Sequence, residues 1–119
     1  MVEQRKLEQI MGLIIHGGNA KSDAMEAITA GKEGDFDKAN KLLKSSNDEL
    51  KQAHRIQSFM LQQEAEGSPI ELTLLTVHSQ DHLMNAITTR DLAKEIIDLH
   101  HKIELYDWFG KEGKQHEKK

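Results

Sequence analysis

The sequence predicts an all-α protein whose single domain is an antiparallel bundle of three long helices. Hydrophobic residues recur at spacings of three and four, the chain of 119 residues contains one proline, and aromatic residues make up 4%. Apolar spacings of three and four place side chains on one face of a helix, whereas a strand alternates at a spacing of two. A chain of this length fits one domain. Because aromatic residues are scarce, its core must consist of Leu, Ile, Ala and Met.

A glycine-containing segment predicts the end of the first helix and the start of the second. Gly31 and Gly34 are suited to a helix end, and Asp35 is suited to cap the helix that follows. The second helix carries small and apolar residues in a strict three-four alternation, which is a coiled-coil-like seam. Two polar residues, Ser46 and Gln57, interrupt this seam.

The second break predicts the start of the third helix. Gly67 is suited to end the second helix, Ser68 to act as N-cap, Pro69 to occupy the first helical position and Glu71 the third, as in a capping box. The third helix is then expected to run to about Leu105. Short connections force neighbouring helices to run antiparallel, which gives an up-down-up topology.

Composition and charge exclude several classes of function. The chain lacks cysteine, which excludes disulfides and thiolate chemistry. Its formal net charge is −4, and the last ten residues hold four lysines and two acids, so the body is more acidic still. This balance argues against a nucleic-acid partner. We assign residues 1–109 to the domain and 110–119 to a flexible basic tail. Because apolar runs are too short for a membrane span or signal peptide, we expect a cytoplasmic protein without membrane insertion.

The predicted third helix carries apolar residues on two opposite sides. At about 100° per residue, Asp81, His82 and Asn85 fall within about 60° of His78. The same stripe contains Leu74, Leu75, Leu92, Ile96 and Ile103. The far side contains Leu83, Met84 and Ile87. Because two other helices can cover only one side, the pattern predicts a homo-oligomer.

Asp81 on this stripe suggests a shared cation. A carboxylate at a subunit interface is costly unless it is paired or bound to a cation. In a cyclic oligomer the Asp81 carboxylates would face one another at the axis, where Mg²⁺, which takes oxygen ligands, would relieve their repulsion. An ordinary salt-bridged Asp81 remains the alternative.

The Gly17-Gly18 pair interrupts the first helix, where each glycine costs roughly 1 kcal/mol relative to alanine. The pair indicates a close approach between helices or a kink. Alternatively, it leaves room for a partner's backbone or a phosphoryl group.

Four segments form a specific combination: LTVHSQDHLM at 75–84, IHGGNAKS at 15–22, GDF at 34–36 and AHRIQ at 53–57. Together they resemble the lactose/cellobiose-type IIA components of the bacterial phosphotransferase system, over about residues 7–99. The HGGNA form of the first helix is more similar to the cellobiose/chitobiose branch than to the lactose branch.

The resemblance implies a homotrimer of three-helix bundles. It implies that His78 accepts a phosphoryl group from the histidine-containing carrier protein and passes it to a cysteine of the IIB component, for uptake of a β-linked disaccharide of the cellobiose, chitobiose or lactose type. Asp81 matches the family's metal position, so one Mg²⁺ per trimer is expected on the three-fold axis. Gln80 is a candidate orienting residue and His82 a candidate auxiliary donor. Because about 200° separates Gln80 from His78, any contact would come from a neighbouring subunit.

Three alternatives remain open on the residues alone. His78 and His82 could form a zinc pair, although no HExxH motif accompanies them. A two-component histidine phosphotransfer domain is also helical, but it usually places lysine and glycine after the histidine, where this chain has Ser79-Gln80-Asp81. A non-enzymatic metal-binding or structural helical oligomer would explain the open apolar face without any phosphate.

Overall fold

The computed structural model describes the backbone of residues 4–117 and the side chains of residues 4–110. Three helices follow one another in this part of the chain: α1 (Gln4–Lys32), α2 (Phe36–Ala65) and α3 (Leu74–Glu117). They contain all the regular secondary structure of residues 4–117, which confirms the all-α prediction. The molecule is a rod of 77 × 21 × 20 Å. Within it, α1 packs along both other helices.

The first predicted break is confirmed in detail. Gly34 adopts a positive φ of 82°, and the amide of Asp35 donates to the carbonyl of Ala30 at 2.9 Å, which closes the end of α1. The Asp35 carboxylate then accepts from the amide of Lys38 at 3.1 Å and caps α2. One short turn therefore satisfies the backbone groups of two helix ends.

The second break ends α2 as predicted, with Gly67 at a φ of 91°. The predicted start of α3 is wrong, because α3 begins at Leu74 instead of Pro69. The backbone amide of Ser68 donates to the carbonyl of Gln63 at 2.8 Å, so Ser68 completes the end of α2. Its side chain and the carbonyl of Pro69 also accept hydrogen bonds from the exposed side chain of Lys6 of α1.

The N-cap of α3 is Thr73. Its hydroxyl oxygen accepts from the amide of Thr76 at 3.2 Å, the geometry of a threonine cap. The Thr76 hydroxyl donates back to the carbonyl of Glu71 at 2.9 Å. Glu71 therefore contributes its backbone carbonyl, and not its side chain, at the start of α3, so the expected capping box does not form.

The C-terminal end of α3 lies beyond the predicted one. The helix passes Leu105 and continues to Glu117, so the backbone of residues 110–117 is helical where a tail was expected. Residues 118–119 lie outside the described residues. No helix of the described chain is long and apolar enough to cross a membrane.

Small residues let the helices pack closely. Ala20, Ala24, Ala27, Ala39, Ala53, Ala86 and Ala93 are fully buried, together with Ile10 and Leu13. Both polar interruptions of the α2 seam are satisfied. The buried hydroxyl of Ser46 donates to the carbonyl of Ala20 at 2.8 Å, and Gln57 donates to Gln80 at 2.9 Å.

The predicted open side of α3 is present. Leu74, Leu92, Leu99 and Ile103 are exposed by 86%, 56%, 58% and 48%, while Leu83 on the opposite side is buried. Met84, which the pattern places on the far side together with Leu83, is also exposed. Met84 lies about 120° from His78 on the helix, past the edge of the surface that α1 and α2 cover.

Candidate functional site

His78 lies just after the capped start of α3, on the exposed side of the helix. Its orientation follows from its neighbours, since Thr76 and Ser79 are both buried. The Ser79 hydroxyl donates to the carbonyl of Thr76 at 2.6 Å, which satisfies it inside the bundle. With these two residues facing inward, His78 faces solvent in a shallow depression that Leu74 and Leu75 also line.

A second imidazole lies against His78. The Nε2 atoms of His78 and His82 are 3.1 Å apart, and the rings meet edge to face with centroids at 4.4 Å. At this distance one ring donates an N–H to the lone pair of the other. His82 is less exposed than His78 and comes from the next turn of the same helix. The pair therefore presents one outer imidazole with a hydrogen-bonding neighbour behind it.

The glycine pair of α1 has two different environments. A Cβ on Gly17 would lie 3.3 Å from the backbone carbonyl carbon and oxygen of His82. This confirms that Gly17 permits a close approach of helices, and it places α1 directly behind the histidine pair. A Cβ on Gly18 would meet nothing within 4 Å, so the monomer does not require a glycine there.

Gln80 lies on the other side of α3. Its side-chain oxygen accepts from Gln57 of α2 at 2.9 Å, and both side chains are partly buried. Within one chain, Gln80 is therefore not brought together with His78. The sequence marked Gln57 as a polar residue in an apolar seam, but its partner depends on how α2 and α3 pack.

Asp81 is exposed on the same side of α3 as His78. Its carboxylate makes no hydrogen bond or ion pair with residues 4–110. Across those residues, no group of three or more His, Asp or Glu side chains could hold a metal ion. Within residues 4–110, Asp81 therefore brings only its own carboxylate to this position, and a metal site there would require ligands from other copies.

Two further histidines lie on other parts of the bundle. His16 of α1 pairs with Glu49 of α2 through a contact of 2.7 Å, and both side chains are partly buried. His54 is exposed on α2 and lines a groove with Arg55 and Arg90. Neither residue touches His78, so the candidate site consists of the His78–His82 pair with Asp81 nearby on α3.

The fold and the site together define a class of protein, a small antiparallel helical bundle with an exposed imidazole backed by a second one. The family model described as the lactose/cellobiose-specific IIA subunit of the phosphotransferase system matches residues 8–101. The chain therefore belongs to this family, and it is a IIA component of a phosphotransferase system.

Individual relatives agree with the family match. The chain is 52% identical to the lichenan-specific phosphotransferase enzyme IIA component of Bacillus subtilis (strain 168), over 82% of this chain and 90% of the relative. It is also similar to the crystal structure of the cellobiose-specific enzyme IIA from Bacillus anthracis, with 39% identity and a TM-score of 0.84, covering 88% of this chain and 95% of that one.

A third relative was solved together with a partner. The solution structure of the Escherichia coli IIA(chitobiose)–HPr complex matches with 37% identity and a TM-score of 0.71, over 82% of this chain and 94% of that chain.

Proposed function

We propose that this chain carries a phosphoryl group on His78, accepting it from the histidine-containing carrier protein and passing it to a cysteine of the IIB component in the cytoplasm. The observation that carries the proposal is the exposed imidazole of His78 within the bundle of this family. The structural likeness to a IIA protein in complex with HPr supports the donor. The acidic balance of the chain suits basic docking faces on its partners.

The chemistry requires only a neutral imidazole and alignment. The Nε2 lone pair of His78 attacks phosphorus, the P–N bond to the donor histidine breaks, and its electron pair returns to the donor nitrogen. In the second transfer a cysteine thiolate attacks phosphorus, the P–N bond to His78 breaks, and Nε2 regains its lone pair. In-line positioning and stabilisation of the equatorial oxygens supply most of the catalysis.

The hydrogen bond between the two imidazoles supports a role for His82 in the transfer. Attack by Nε2 of His78 requires that this atom release its contact with His82. Once this contact is released, an N–H at Nε2 of His82 remains close to Nε2 of His78. It can then donate a hydrogen bond to an oxygen of the phosphoryl group that His78 carries. We therefore infer that His82 is an auxiliary donor. A zinc pair, the alternative for these two histidines, finds no third ligand among residues 4–110.

The assembly proposed for this chain is a homotrimer that packs along the open side of α3. The exposed apolar residues on both sides of His78 support it, since isolated apolar stripes of this length mark interaction surfaces. In this assembly Gln80, which Gln57 holds on the opposite side of α3, would lie outside the contact between copies. Three Asp81 carboxylates would hold one Mg²⁺ on the axis, where the cation would offset their mutual repulsion.

The substrate class proposed is a β-linked disaccharide. Its support is that several relatives are named for cellobiose, N,N'-diacetylchitobiose or lactose, which are β-linked disaccharides. Other relatives are named for the β-glucan lichenan and for galactose. Uptake assays in a strain lacking its own IIA component, supplied with each of these sugars in turn, would test this class.

The central test is phosphorylation by the general phosphotransferase proteins and phosphoenolpyruvate, followed by intact-protein mass spectrometry. We expect a single acid-labile phosphate that is absent from His78→Ala and retained in His54→Ala, a matched exposed histidine on α2. Phosphate that persists in His78→Ala would reject the site. A wild-type chain that takes up no phosphate would favour the alternative, a non-enzymatic metal-binding or structural helical oligomer.

The role of His82 has its own test. His82→Ala should still be phosphorylated on His78 but roughly 10–100-fold more slowly, the cost of one charge-assisted hydrogen bond. His82→Gln keeps an N–H donor and should restore part of the rate. If His82→Ala and His82→Gln are phosphorylated at the same rate, His82 does not act as a hydrogen-bond donor. The variant His54→Ala is the control for removing an imidazole elsewhere on the bundle.

A further inference from the structure

The outer side of α1 carries an uncharged surface in the first half of the helix. Residues 9–20 contain no lysine, arginine, aspartate or glutamate. Within this stretch Met11 and Ile15 are exposed by 41% and 54%, and Gly18 lies within about 60° of both around the helix. A solvent-facing side of a helix is usually charged, whereas the core of a protein interface is depleted of charged residues and enriched in methionine. We call Met11, Ile15 and Gly18 the α1 surface.

Gly18 makes no packing contact that requires a glycine within one chain. A glycine in the interior of a helix is destabilising relative to alanine, and at Gly17 the close approach of α3 accounts for it. A Cβ on Gly18 would meet nothing within 4 Å among the described residues. The missing side chain leaves the backbone of α1 open, so another protein can approach it closely at this point.

Gly18 and His78 face the same side of the molecule. The helix α2 contacts α1 through His16 and α3 through Gln80. Gly18 follows His16 by two residues and His78 precedes Gln80 by two residues, which places each about 160° around its helix from the contact with α2. Both residues therefore face away from α2.

The α1 surface also lies at the height of the phosphorylation site. Gly17 packs on His82 and Gly31 on Ile97, so α1 and α3 run in the same direction with offsets of 65 and 66 positions in the two pairs. With this offset, His78 is level with the α1 surface, whose ends lie within about 8 Å of it along the helix axis.

The leucines proposed to pack between copies lie on the other flank of His78. Leu74, Leu92 and Leu99 lie about 40–60° from His78 on one side of α3, and His82 lies about 40° on the opposite side, where α3 meets α1. His78 is thus placed between the leucines and the α1 surface. A protein that reaches the imidazole from outside the assembly therefore also covers α1.

We propose that the α1 surface is the docking site of the histidine-containing carrier protein that donates the phosphoryl group, and that Gly18 lets the backbone of this donor approach α1. The inference rests on the proposed function of His78. The donor is the occupant because a structurally similar IIA protein was solved in complex with HPr. The part of the donor that fits here is apolar and uncharged, since a charge buried against Met11 and Ile15 would lose its hydration without gaining a partner.

Two phosphate donors separate docking from the chemistry at His78. The phosphorylated carrier protein must dock before transfer, whereas phosphoramidate, a small chemical donor, needs no docking surface. We expect Gly18→Gln and Ile15→Gln each to raise the KM for the phosphorylated carrier about tenfold, the equivalent of about 1.4 kcal/mol, and to keep the rate with phosphoramidate. Two matched exposed positions on α2, in the variants Ser58→Gln and Leu61→Gln, should leave both quantities unchanged.

Three results would overturn the docking proposal. The first is the same KM for the phosphorylated carrier in Gly18→Gln and Ser58→Gln. The second is a defect confined to transfer from His78 to the IIB component, which would assign the α1 surface to the acceptor. The third is slower labelling by both donors together with a smaller assembly in analytical ultracentrifugation, which would assign it to contacts between copies. If neither donor phosphorylates the wild-type chain, the proposed function itself fails, and the docking proposal fails with it.

Discussion

Alanine substitutions at Gly17 and Gly18 of α1 should have different effects on stability, because only Gly17 lies close to another helix. Gly17→Ala places a Cβ 3.3 Å from the carbonyl carbon and oxygen of His82 and 3.5 Å from the amide nitrogen of Leu83. These are backbone atoms of α3, so they cannot move aside as a flexible side chain would. Overpacking of this kind costs about 1–3 kcal/mol. Gly18→Ala meets nothing within 4 Å.

Both variants gain the same helix propensity, about 1 kcal/mol for alanine over glycine in a helix interior. This gain cancels in the comparison, so Gly18→Ala should be more stable than Gly17→Ala by about 1–3 kcal/mol, the overpacking term alone. Relative to the wild type, Gly18→Ala should be stabilised. Gly17→Ala should also slow phosphorylation of His78, because the backbone that shifts carries His82.

Urea unfolding over a series of protein concentrations is the appropriate assay, since assembly makes apparent stability depend on concentration. An effect on the bundle keeps the same size across the series, whereas an effect on assembly changes with it. Equal stability of the two variants, or a less stable Gly18→Ala at every concentration, would refute the assignment of the close contact to Gly17.

Three further outcomes are expected. Thr73→Ala should lower the free energy of unfolding by about 1 kcal/mol because it removes the N-cap of α3, and Ser68→Ala should lower it less. If urea unfolding shows a larger loss for Ser68→Ala than for Thr73→Ala, Ser68 and not Thr73 is the N-cap. Ser46→Ala should cost about 1 kcal/mol in the same assay, because the buried hydroxyl donates to the carbonyl of Ala20. An unchanged midpoint would contradict that contribution. Asp81→Leu should keep the trimer in analytical ultracentrifugation and lose Mg²⁺ in elemental analysis; stoichiometric metal in this variant would exclude Asp81 as the ligand.

The helix boundaries show where local sequence signals suffice. Gly34 and Asp35 end α1 and begin α2 as predicted, because a positive φ and a short carboxylate side chain act within one turn of the backbone. The signals at Ser68 and Pro69 are equally strong, but the amide of Ser68 donates to the carbonyl of Gln63 and closes α2, and residues 68–73 form no regular structure. Two local motifs compete for this segment, the end of α2 at Ser68 and the cap of α3 at Thr73, and the sequence pattern does not show which residue each of them uses.

The candidate site divides in the same way. The exposure of His78 and its proximity to His82 follow from a spacing of four residues on one helix, which the sequence contains. The bond between Gln57 and Gln80 and the contact of Gly17 with His82 depend on the rotation and register of packed helices. The sequence permitted several such registers.

Periodicity, glycine placement and the motif around His78 by themselves determined the helical class, the number of helices, the open side of α3 and the family. These features depend on interactions within a few residues or on the count of apolar faces. Tertiary structure alone decided which glycine of α1 is required and that Gln80 turns away from His78. Each of these depends on side chains brought together from different helices, and their fit is set by the volume and hydrogen bonds of the packed core.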